Sequence, residues 1–227
     1  MEILDKLQKQ RQFAVSRTLI IACGALAREI SVIRSANNLS HIDVKFLPAI
    51  LHNTPSCIPE RVRSLIHEGR EQGYERIFIG YADCGTGGKI DALCAEEKVE
   101  RILGPHCYSF FYGNEEFSKS LPEDERVFSF FLTDFLTKNF DTLVWKGLGL
   151  NKHPELLEMY FGNYKYLTYL SQTHDVKLFK AAELSAEKLG LQYKNYHTGY
   201  GDLEKFFQAL PQTLPTTMET NRQSDIS

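Results

Sequence analysis

Residues 76–88 read RIFIGYADCGTGG, and the fold class turns on them. An apolar run rich in Ile, Phe and Tyr, residues 76–82, has strand composition. It breaks at Asp83 and Cys84 into Gly85, Thr86, Gly87 and Gly88, after which Ile90 to Ala95 can form a short helix. Strand, glycine-rich turn and helix in this order are the first half of a βαβ unit.

The same alternation continues on both sides. Residues 18–23 (TLIIAC) form a compact apolar run that stops at Gly24, and Leu26, Ile30 and Ile33 then recur at helical spacing. Residues 44–51 (VKFLPAIL) read as a second strand, bent or placed at an edge by Pro48. Pro59 suits the first turn of a helix carrying Val62, Leu65, Ile66 and Gly69 on one face. Residues 99–103 (VERIL) make a fourth strand before Gly104-Pro105-His106-Cys107, and the aromatic run 108–112 is read as mostly core.

Residues 115–126 are charged and surface-like, and form the natural boundary if the chain divides into two similar lobes. Strands are then expected at 127–132, 166–170 and 191–197, and helices at 135–145, from Pro154, and at 176–189 before Gly190. Leu203, Phe206, Phe207 and Leu210 complete an i, i+3, i+4, i+7 stripe. The expected fold is α/β: a parallel, Rossmann-like sheet with flanking helices, as one domain over 18–210 or as two similar lobes. Residues 1–17 are read as a lead-in helix and residues 211–227 as a disordered tail.

Hydrophobic residues make up 43% of the chain, as in an ordinary globular protein, so a sizeable core is expected. With 26 basic and 29 acidic residues the net charge is −3, and no basic stripe points to nucleic acid. No apolar run is long enough to span a bilayer. The charged start of the chain has no apolar h-region, so a reducing, cytoplasmic setting is expected. There, five cysteines read as thiols, metal ligands or redox groups rather than as structural disulfides.

The predicted strands end at Cys23, His52, Cys84, His106-Cys107, Asp134, Gln172-Thr173 and His197. Parallel α/β sheets bind their ligands outside the carboxyl ends of the strands. Cys23, Cys84, Cys107 and His52 are therefore candidate ligands for zinc or for an iron–sulfur cluster, although no C-x-x-C or H-E-x-x-H accompanies them. Cys84 is also a candidate nucleophile, with His106 and Asp134 as acid/base groups. The amides of Gly85, Thr86, Gly87 and Gly88 are candidates to hold an anion or part of a cofactor. Cys57 and Cys94 are assigned no role.

The segments IACGALAREI, LPAILHNTP, YADCGTGGKID, GPHCYSFFYG, LTDFL, GLGLNKHPEL, YFGNYKYLTYLSQT and HTGYGDL together resemble the bacterial and archaeal family known as domain of unknown function 1638, over about residues 18–210. The resemblance implies, by association, a one-carbon setting near corrinoid methyltransferase systems. The expectation drawn from residues and resemblance is a metal-dependent cytoplasmic enzyme acting on a small polar molecule, with corrinoid methyltransferase components as potential partners. A metal-free cysteine enzyme and a non-catalytic accessory protein are the alternatives.

Overall fold

The computed structural model describes residues 17–119 and 121–210; the expected lead-in helix and tail fall almost wholly outside them. Strand β1 (Thr18–Cys23) is buried at all six positions, as a strand covered on both faces must be. It pairs in parallel with β2 (Ile42–Leu47) on one side and β3 (Arg76–Gly80) on the other. β4 (Glu100–Arg101) extends β3, giving the order β2-β1-β3-β4. The chain goes from β1 out to β2, then returns to the other side of β1 for β3. That reversal makes a topological switch point at the carboxyl ends of β1 and β3, where α/β sheets open a crevice.

A second, three-stranded parallel sheet follows, in the order β5 (Ser129–Leu132), β6 (Tyr166–Ser171), β7 (Gln192–His197). The chain is thus an α/β protein with two parallel sheets, each flanked by helices. The change of sheet falls in the expected stretch, but residues 115–126 are not merely a charged surface. The stretch includes parts of two short helices, Asn114–Lys119 and Glu123–Phe128, and buries Phe117 and Glu125 on them and Leu121 between them. Phe117 and Leu121 form a small core with Phe131 and Leu170, with Tyr108, Tyr112 and Tyr196 around it. This aromatic cluster joins the two halves.

The last helix, α10 (Gly201–Ala209), returns to the first half, where Leu203, Phe207 and Leu210 enter the core built on β1 and β3. Its entry is tight. Gly201 has φ +49°, and a Cβ there would collide with the carbonyl oxygens of Phe110 and Phe111. Gly201→Ala is therefore expected to destabilise the protein by about 3 kcal/mol in urea titration, combining left-handed strain with a backbone clash. A change below roughly 1 kcal/mol would show that the helix can shift.

Several boundaries differ from expectation for local reasons. Pro48 ends β2, so Ala49–Asn53 turns as a 3-10 segment and carries His52 on a turn, not on a strand. β4 keeps only two residues. The expected helix 135–145 is α7 (Asp134–Lys138) followed by a π-helix, Phe140–Trp145. The helix expected from Pro154 is confined to Leu156–Phe161.

Candidate functional site

The site is assembled from three chain-distant segments. β1 ends at Cys23, whose sulfur accepts from Ala25 N–H at 3.4 Å and starts a one-turn 3-10 segment. The turn after β2 brings His52 over that strand end, with Nδ1 3.8 Å from Cys23 Sγ and 3.1 Å from the Ala49 carbonyl oxygen. Beyond β3, Asp83 N–H and Cys84 N–H donate to the carbonyls of Gly104 and Pro105, both at 3.0 Å. These bonds tie the glycine-rich turn to the segment leading into α4 (Cys107–Tyr112). Cys84 Sγ and Cys107 Sγ consequently lie 3.0 Å apart. Donor atoms of His52, Cys84 and Cys107 all fall within 4.8 Å of one another. Cys23 borders this trio through its contact with His52.

Three buried sulfurs here lie beside an exposed imidazole. The Cys107 thiol is held well above the usual range, first by its neighbours Cys23 and Cys84 and then by burial. Those two sulfurs are pulled down to about 5, chiefly by the Cys107 bond and then by His52, against their burial. His52 is pushed up to about 11 by Cys23 and then Cys84. The shifts run in one direction, favouring negative charge on Cys23 and Cys84 and positive charge on His52. A soft cation would suit this donor set, replacing protons at the sulfurs and the ring nitrogen.

Two further features mark the place. Cys84 has φ +48°, a left-handed conformation uncommon for a residue with a Cβ, and such strain clusters at functional sites. Tyr81 is fully buried, and its hydroxyl has no hydrogen-bond partner of good geometry among the described residues. Burial first, and then the nearby charge of Cys23, push its phenol up. In the sequence Tyr81 reads as one more residue of an apolar strand. The signal was its position, two residues before Asp83 and just beyond the strand end.

The glycine turn has a different role from the one expected. The Asp83 carboxylate accepts from Gly88 N–H at 2.7 Å, Gly87 N–H at 3.2 Å and the Thr86 hydroxyl at 2.7 Å. Partial burial opposes ionisation of Asp83, but these donors outweigh it and hold the carboxyl below its usual range. Of the four amides expected to bind an anion, those of Gly87 and Gly88 are taken by the chain's own carboxylate and that of Thr86 donates to the Asp83 carbonyl oxygen at 2.9 Å.

Asp134 also departs from expectation. It is 1% exposed and accepts from Tyr169 OH at 2.7 Å, Gln172 N–H at 3.0 Å and Thr173 OH at 2.6 Å. It fastens β5 to β6 and does not line the cleft. His106 does line it, stacked on Tyr108 with ring centroids 4.8 Å apart. The cleft wall desolvates its inner edge and lowers its pKa, against the opposing charges of Cys84 and Asp83. His197 lies elsewhere, stacked on His174. Cys57 is exposed, and Cys94 is buried in helix α3 (Lys89–Glu97).

The cleft runs between the two halves and measures about 370 Å³. His52 and Cys107 face it from one side, and Phe130, Phe131, Phe135, Leu143 and Val144 from the other. Among the described residues no Asp, Glu, Lys or Arg lines it. No helix among the described residues is long and apolar enough to cross a membrane.

Fold and site together define an α/β protein with a cysteine–histidine cluster at a sheet switch point, facing an apolar cleft. A family model described as a protein of unknown function, DUF1638, matches residues 46–207, and the chain belongs to that family. The match spans His52, Cys84, His106, Cys107 and Asp134 and begins after Cys23. No curated protein and no solved structure matches the chain.

Proposed function

We propose that the protein is a metalloenzyme in which His52, Cys84 and Cys107 hold one soft divalent ion, zinc fitting best. The observation that carries this reading is the convergence of those three donors within 4.8 Å at the switch point. Two thiolates and an imidazole with a position left open is a donor set of the catalytic zinc type, and two of these residues line the cleft. Cys23 lies beside His52, outside the set of three.

The sulfur spacing speaks for a single ion over a [4Fe–4S] cluster, in which each thiolate binds a different iron, whereas Cys84 and Cys107 are in contact at 3.0 Å. The metal-free nucleophile is less well supported, since Cys84 does not line the cleft and Asp83 takes the amides of Gly87 and Gly88. A reducing, cytoplasmic location agrees with five free cysteines. The cleft lining has no feature specific to a one-carbon substrate or a corrinoid partner.

Metal analysis of protein purified under reducing conditions is expected to find about one zinc per chain. Cys107→Ala and His52→Ala should each weaken zinc affinity by about 100-fold or more, because each removes a ligand. A wild-type protein that binds no divalent metal with Kd below roughly 1 μM would overturn the reading. If its mass instead showed the loss of two hydrogens, Cys84 and Cys107 would be a redox-active dithiol.

A further inference from the structure

We propose that the cleft binds an uncharged organic thiol, its sulfur on the metal and its apolar body among Phe130, Phe131, Leu143 and Val144. The inference rests on the metal reading above and adds the class of substrate. Three observations lead to it.

The first is the lining. Across from His52 and Cys107 the wall is aromatic and aliphatic, with no charged side chain on it among the described residues. A charged ligand would lie there without a partner, at a high desolvation cost. The volume, about 370 Å³, corresponds to roughly a dozen waters and suits a compact organic molecule.

The second is the fate of the polar groups that could steady an oxygen anion. Gly87 and Gly88 N–H are satisfied by Asp83. On the cleft wall itself, Ser129 Oγ pairs with Thr168 and Thr133 Oγ accepts from Leu136 N–H. Asn53, His106, Tyr108 and Tyr164 are the other polar side chains in the lining, and among the described residues no lysine or arginine joins them to hold a full negative charge on a substrate oxygen. Negative charge on a sulfur bound to the metal needs neither.

The third is softness. A centre made from cysteine sulfur favours a soft exogenous donor. On binding, the thiol S–H bond breaks and its proton passes to bulk water. A sulfur–metal bond forms as a metal-bound water leaves. Nothing is oxidised or reduced.

The test uses full-length protein loaded with cobalt(II) in place of zinc, titrated with benzyl mercaptan, benzyl alcohol and mercaptoacetate. Benzyl mercaptan is expected to add a sulfur-to-cobalt charge-transfer band and to bind about 10-fold or more tightly than either comparison compound. Leu143→Lys, which puts a cation on the half-buried far wall, should shift the preference towards mercaptoacetate. Failure of cobalt to bind at all, seen as no visible d–d spectrum, overturns the metal centre and this inference with it. A normal cobalt spectrum with no thiol band, or with benzyl alcohol or mercaptoacetate bound as tightly as benzyl mercaptan, overturns the substrate class and leaves the metal centre standing.

Discussion

Asp134→Ala is expected to lower the unfolding free energy by about 4 kcal/mol while leaving metal content unchanged. The carboxylate sits 1% exposed between β5 and β6 and accepts from Tyr169 OH, Gln172 N–H and Thr173 OH. Its own N–H donates to Gln172 Oε1 at 2.8 Å. Truncation leaves three donors without their acceptor, two of them in fully buried surroundings. Each orphaned donor costs about 1–3 kcal/mol, reduced where water can enter. Thr173 is only partly buried and can recover a water, which keeps the total below the simple sum. For a chain of this size the loss corresponds to roughly 10 °C in Tm. Asp134→Asn should cost about half as much, because the amide oxygen still accepts while its NH₂ faces donors. Urea titration and metal analysis of both variants test this. A variant with wild-type stability and impaired turnover would return Asp134 to the catalytic machinery.

That prediction shows where sequence reading stops. An aspartate at a strand end is legible as a polar group near the carboxyl edge of a sheet. Whether it faces the cleft or ties two strands together depends on partners dozens of residues away, Tyr169, Gln172 and Thr173, which no local pattern connects to it. The same holds for Asp83, whose carboxylate turns back on the Gly87 and Gly88 amides. Elements bounded by strong local chemistry were legible. β1 ends at Cys23 as the apolar run dictates, and the helix Val176–Leu189 lies between the Asp175 cap and left-handed Gly190. Helix α4 was missed because six residues, CYSFFY, are too few for a helical period and rich in strand-favouring aromatics. Strand order was also beyond reach: periodicity finds strands, but the division into four and three depends on pairing. The approach of Cys84 to Cys107 is a product of that pairing, since both follow strands that neighbour each other in a parallel sheet. His52 arrived by another route, on a turn that Pro48 produces by ending β2.

Cys84→Gly is expected to separate the requirements of the fold from those of the site. Cys84 holds φ +48°, a backbone state that costs a residue with a Cβ about 1 kcal/mol or more and costs glycine almost nothing. The turn already runs through left-handed Gly85, Gly87 and Gly88, so glycine at position 84 continues a conformation the segment uses. Relief of this strain opposes the loss of one small buried side chain and the greater freedom of an unfolded glycine. The metal-free variant should therefore stay within about 1 kcal/mol of the wild type. Zinc affinity should fall by about 100-fold or more with the loss of a thiolate ligand. Cys107, no longer in contact with a sulfur at position 84, should react faster with a thiol reagent. Urea titration with and without zinc reads both quantities in one experiment: zinc raises the midpoint of the wild type and leaves that of the variant nearly unmoved. Equal zinc stabilisation in both would remove Cys84 from the metal site. A large loss of stability without zinc would mean that the left-handed cysteine serves packing. A site that imposes strain on the backbone where glycine would be at ease is one kept for its sulfur, and this substitution measures that directly.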